Sequence, residues 1–109
     1  MSPVPEFVVN LARVRREQMR WFLLTATNVS RPAGIYTEAL LPILQAVYPD
    51  ATHQEVKREL DYLEERDLVK IKRDPMLRWF VELTRFGVDM CEYVIDCEPG
   101  VARPTYGAG

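Results

Sequence analysis

The chain has one histidine, His53, two cysteines, Cys91 and Cys97, and almost no net charge, −2 over 109 residues. Each scarcity excludes a class of function. A lone histidine at an expected helix start, with no glycine-rich phosphate loop, no nucleophile phrase and no metal-ligand cluster, argues against an enzyme, a metal centre or a bound cofactor. The carboxylate pair Glu64-Glu65 stands on a solvated helix end and not in a pocket. Six residues apart on one expected helix, the cysteines fit no zinc or redox spacing and lie too far apart for a disulfide. They read as reduced, partly buried thiols. The longest apolar run, Trp21-Phe22-Leu23-Leu24, falls far short of the roughly 18 residues of a membrane span and lacks the context of a signal peptide. A soluble, cytoplasmic protein is expected, without membrane contact. The small net charge supplies no global positive field, so any nucleic-acid binding must come from a local patch or from a dimer that concentrates one.

What is present is ordinary for a globular protein: 48% hydrophobic and 28% charged residues, enough for one core. Pro3 and Pro5 mark a short arm over residues 1–5. From about Glu6 to Asn28 neither proline nor glycine interrupts the chain, and Phe7, Leu11, Val14, Gln18, Trp21, Phe22 and Thr25 recur at helical spacing. Met19, Leu23 and Ala26 widen that face. Residues 28–34 are a loop by composition. Thr37 is placed to cap a second helix with Leu40, Leu41, Ile43, Leu44 and Val47 as its buried face, ending at Tyr48-Pro49.

Thr52-His53-Gln54-Glu55 is a capping box, in which the Thr52 hydroxyl serves the backbone three residues on and Glu55 reaches back. Val56, Leu60 and Leu63, with Tyr62 beside them, give the next helix one apolar stripe as far as Arg66-Asp67. Residues 68–73 alternate, with Val69 and Ile71 on one face and Lys70 and Lys72 on the other. Asp74-Pro75-Met76-Leu77 is a turn, and residues 78–83 alternate again through Trp79, Val81 and Leu83, so a β-hairpin follows. Thr84 caps a last helix running to about Asp96, faced by Val88, Cys91, Tyr93, Val94 and Ile95. Trp21, Phe22, Trp79 and Phe80 are expected in the core. The domain then spans 1–98, and 99–109 is expected to be a flexible tail with little to bury.

The phrase Leu60-x-x-Leu63-x-x-Arg66-x-Leu68-Val69, followed by Leu83-Thr84-x-x-Gly87, resembles the winged helix-turn-helix family over roughly residues 21–95. The resemblance implies an α+β fold, mainly α with a small hairpin, in the order α1-(β1)-α2-α3-β2-β3-α4. Its first strand would have to be Gly34-Ile35-Tyr36. It also implies double-stranded DNA as partner, read by the third helix with the hairpin beside it. A narrower set of phrases is similar to small proteins of Mu-like transposable phages and prophages: Tyr48-Pro49-Asp50-Ala51-Thr52, Leu60-Asp61-Tyr62-Leu63, Gly87-Val88-Asp89-x-x-Glu92-Tyr93 and residues 97–104. This implies an origin and no activity.

On that reading Gln54, Lys57 and Arg58 meet bases or phosphate, and Lys70, Lys72 and Arg73 meet the phosphate backbone. The opposing observation is acidity: Glu55, Glu59, Asp61, Glu64 and Glu65 outnumber Lys57, Arg58 and Arg66 on the same helix. Lysines on a hairpin edge also have a second use, which is to prevent sheet-to-sheet aggregation. The band Arg13, Arg15, Arg16 and Arg20 either contacts phosphate or pairs with Asp89, Glu92 and Asp96 of the last helix. Two expectations stand together: a phage or prophage transcriptional regulator, dimeric and DNA-binding, or a protein-interaction module in phage assembly or packaging, with a phage or host protein as partner.

Overall fold

A computed structural model describes residues 5–76 and 78–105, apart from the side chains of Glu6, Phe7 and Val9. The expected roles of residues 1–4, the Phe7 side chain, Leu77 and residues 106–109 lie outside the described residues. The described chain is a mixed α+β protein of four helices and one three-stranded antiparallel sheet. Its elements run α1 (Glu6–Val29), β1 (Ile35–Tyr36), α2 (Thr37–Gln45), α3 (His53–Glu65), β2 (Val69–Arg73), β3 (Trp79–Leu83) and α4 (Arg85–Cys91).

Met19, Leu23 and Leu24 of α1 pack with Leu40 and Leu44 of α2 and with Val56, Leu60 and Leu63 of α3, all fully buried. Each such side chain contributes about 1.5–3 kcal/mol by leaving water. The sheet closes one side of this core in the order β1-β3-β2, with Ile35 and Ile71 each opposite Val81, and Val69 opposite Leu83. Residues on alternate positions face the other way, so Tyr36, Phe80, Glu82, Lys70 and Lys72 share the outer face.

The third helix begins as its capping residues require: the Thr52 hydroxyl accepts from the Glu55 amide at 3.1 Å. It ends without glycine. Asp67 adopts φ 62°, the Asp67 amide donates to Glu64 O at 3.0 Å, and the Leu68 amide donates to Leu63 O at 2.9 Å. This paired closure lets the chain turn at once into β2. A matching closure ends α4, where Tyr93 sits at φ 61° and the Val94 amide donates to Asp89 O at 2.8 Å. The last helix therefore stops at Cys91, well short of Asp96, and Tyr93 and Val94 are exposed rather than on a buried face.

Thr84 caps α4 by accepting from the Gly87 amide at 3.0 Å, and its hydroxyl donates to the carbonyls of Asp67 and Leu68 at 2.6 and 3.1 Å. Gly87 is a packing requirement: a Cβ there would stand 2.2 Å from Leu68 O.

Five other expectations are corrected. Tyr36, not Thr37, occupies the cap position of α2; Thr37 is buried as its first residue. Ile43 and Val47 are exposed, because α2 rolls Leu40 and Leu44 inward. Leu11 and Val14 are also exposed, since the helix face that reaches the core is that of Met19 and Leu23. Residues 99–105 are not a tail with little to bury: Val101 is buried, the Ala102 amide donates to Glu17 O at 3.1 Å, and Arg103 donates to Met90 O and Ile95 O at 2.9 and 2.8 Å. Of the four aromatics assigned to the core, Trp21, Phe22 and Trp79 are half-buried against it, and Phe80 stands on the outer sheet face against Tyr36, 4.9 Å between ring centroids.

Candidate functional site

The face formed by α3 and the hairpin contains the residues that the sequence nominated, and it divides them. Gln54 and Arg58 are exposed along the first half of α3. Lys57 is half-buried, its Nζ 5.1 Å from the centroid of the Trp79 ring, so it lies against β3 instead of reaching outward. Arg58 donates to Glu59 Oε2 at 3.3 Å.

In the hairpin, Arg73 pairs with Trp79 in register and so shares the inner face with Val69 and Ile71. There its guanidinium lies 4.2 Å from the Trp79 ring centroid and donates to Asp61 Oδ1 and Glu64 Oε1 at 3.0 Å each. The Glu64 hydrogen bond is the chief reason that Arg73 is held above the usual arginine range. Lys70 and Lys72 project from the opposite face of the same hairpin. Lys72 pairs with Glu82 Oε1 at 2.8 Å, and the register also sets Glu82 opposite Lys70. At the tip, Arg78 donates to Asp74 Oδ2 at 2.8 Å. The three hairpin cations nominated for phosphate therefore do not form one surface, and two of them already hold carboxylates.

The acidity of α3 is redistributed in the same way. Glu55 turns toward α1 and receives both Nε and Nη2 of Arg15 at 2.9 Å, so it does not reach back as a capping side chain. Glu59 is 1% exposed and receives Arg20 Nε at 2.9 Å. Arg15 also donates to Asp50 at 2.9 Å, which holds the Asp50 carboxyl below the usual carboxylate range. Arg15 and Arg20 of the α1 band thus serve α3 and the turn before it, while Arg13 pairs with Glu17 of its own helix. For Arg15 and Arg20, these contacts take the place of the pairing with Asp89, Glu92 and Asp96 that was one of the two readings of the band. Asp61, Glu64 and Glu65 are the carboxylates left on the outer side of α3, and Arg73 covers two of them.

The two cysteines are unbridged and half-buried, and burial pushes the Cys91 thiol up to about 11. No helix among the described residues is long and apolar enough to cross a membrane.

Fold and site together define a small α+β protein with a helix–hairpin face on which Lys72, Arg73 and Arg78 are each held by carboxylates. Comparison with known proteins adds no family: no protein-family model matches the chain, and no curated protein is significantly similar to it.

Proposed function

We propose that this chain is a winged-helix domain that acts as a protein-interaction module in a phage or prophage setting, and does not act by binding DNA. The helix order, the antiparallel β1-β3-β2 sheet and the placement of α3 directly before the hairpin support the winged-helix reading. One observation carries the choice of partner. Arg73, the hairpin cation nearest α3, is held by Asp61 and Glu64, and Lys72 is held by Glu82. A surface that has to neutralise phosphates and release their counterions needs cations that are not already matched. A compensated surface with exposed carboxylates suits a polar protein partner, whose charges can exchange with these pairs.

Fluorescence anisotropy with a random-sequence duplex at 50 and 150 mM salt tests this directly. The expected affinity at 150 mM is weaker than about 100 µM, the weak end of non-specific binding. A dissociation constant under about 1 µM at 150 mM salt would overturn the reading.

Duplex DNA is the second reading, favoured by the exposure of Gln54 and Arg58 on the half of α3 that such domains insert into a major groove. On it, the chain is a dimeric regulator, and the R58A substitution weakens binding measured in the same titration.

A further inference from the structure

Val8, Leu11, Val14 and Val29 of α1 and Ile43 and Val47 of α2 are 42% to 85% exposed. They do not scatter. At 100° per residue, Val8, Leu11, Val14, Gln18, Phe22, Thr25 and Val29 fall on one side of α1, with Gln18 and Thr25 as polar residues within it and Arg15 at its edge, drawn off to Glu55 and Asp50. The face directed into the core, that of Met19, Leu23 and Thr27, points elsewhere. Toward the C-terminal end of α1, α2 runs beside this stripe and the two helices wall a groove of about 340 Å³ lined by Phe22, Ala26, Val29, Ile43 and Val47.

We propose that two copies of this chain associate through this face, with their α1 helices antiparallel and the two-fold axis near Gln18. The stripe is self-complementary in that arrangement. With Gln18 opposite its own symmetry mate, Leu11 falls opposite Thr25 and Val14 opposite Phe22. Val8 and Leu11 of each copy then lie over the groove walled by Val29, Ile43 and Val47 of the other. The exposed end of each helix is covered by the groove that the other copy leaves empty, so the contact closes at two chains.

Area supports the same occupant. The six exposed side chains present on the order of 500 Å² per copy, as much as the largest apolar patch of a typical monomer; doubled, this reaches the roughly 1,000 Å² that a biological interface has to clear, and the polar rim adds to it. Gln18 accepts from the Tyr48 hydroxyl within its own chain, so its polar group stays partnered when the seam closes. The inference does not rest on the proposed function, because α1 meets the second copy on a face that α3 and the hairpin do not share.

The full chain tests it. Light scattering at about 100 µM is expected to give close to twice the chain mass, a concentration well above a dissociation constant of about 1 µM. L11E and V29E, both at exposed positions that leave the fold intact by circular dichroism, should each raise the dissociation constant by about 100-fold by placing a charge in the seam. Orientation is read by oxidative cross-linking. L11C chains mixed with T25C chains should link to each other, whereas L11C chains alone should link no more than the parent chain. A monomer at 100 µM, a dimer that survives both charged variants, or efficient L11C–L11C linking would each overturn the proposal.

Discussion

Arg20 donates from Nε to Oε1 of Glu59 at 2.9 Å, joining the middle of α1 to a carboxylate on α3 that is 1% exposed. The same guanidinium lies 3.6 Å from the Tyr62 ring centroid and donates to Gly100 O at 2.8 Å. One side chain thereby fastens α1, α3 and the C-terminal segment.

R20M should therefore cost about 3–5 kcal/mol, because it strands a buried carboxylate with only the exposed Arg58 beside it. The double substitution R20M/E59L should recover most of that loss by removing the stranded charge. Urea denaturation of the three proteins decides the matter: equal stability of R20M and the parent chain would refute the assignment.

G87A should lower the thermal midpoint by roughly 15 °C, a cost of about 3 kcal/mol. The added methyl would meet the Leu68 carbonyl at 2.2 Å and Leu83 Cδ2 at 3.1 Å, so backbone would have to move at the joint between α3 and α4. Calorimetry is the check, and a shift of less than about 3 °C would remove the packing argument.

Acid should destabilise the hairpin tip and the turn before α3. The Asp74 carboxyl is held below the usual range first by the Arg78 amide and then by the Arg78 guanidinium, and Asp50 is held down first by Arg15. A carboxyl whose folded value is depressed contributes stability that is present above its unfolded value, near 4, and is lost as the pH falls through the folded value. The melting midpoint should stay level with respect to these two groups from pH 7 to 5 and fall below about 4. D50N and D74N should each flatten that acid limb; an unaltered limb in the double variant would exclude both contacts.

Removing the carboxylates that hold the hairpin cations should create an affinity that the parent lacks. D61N/E64Q/E82Q frees Arg73 and Lys72 and should bind random duplex at least about 10-fold more tightly than the parent at 50 mM salt, with the gain lost at 200 mM. Equal anisotropy curves for parent and variant would show that compensation is not what governs this surface.

The elements were largely legible because each has a local cause. Thr52 and Thr84 mark helix starts through short-range hydrogen bonds, and the alternation through Val69 and Ile71 marks a strand; all three are properties of neighbouring residues. The end of α3 near Arg66-Asp67 was legible, but that of α4 was not, since Tyr93 takes the left-handed conformation usually given to glycine. The charges on the candidate face could not be assigned from the chain alone. Glu55 and Glu59 look solvated in a helical projection, and only the packing of α1 across α3 brings Arg15 and Arg20 to them. One signal was available and was missed. Arg73 has the same strand parity as Val69 and Ile71, so it belongs with the inner face and not with Lys70 and Lys72.

That parity has a consequence for how the two strands find each other. Sliding β2 by one residue would turn Ile71 to water and swing Lys72 toward Asp61 and Glu64 in place of Arg73. The guanidinium can bridge two carboxylates at once, which a single ammonium does less well. Ionic pairing thus proofreads strand alignment, rewarding the one threading in which burial and charge agree.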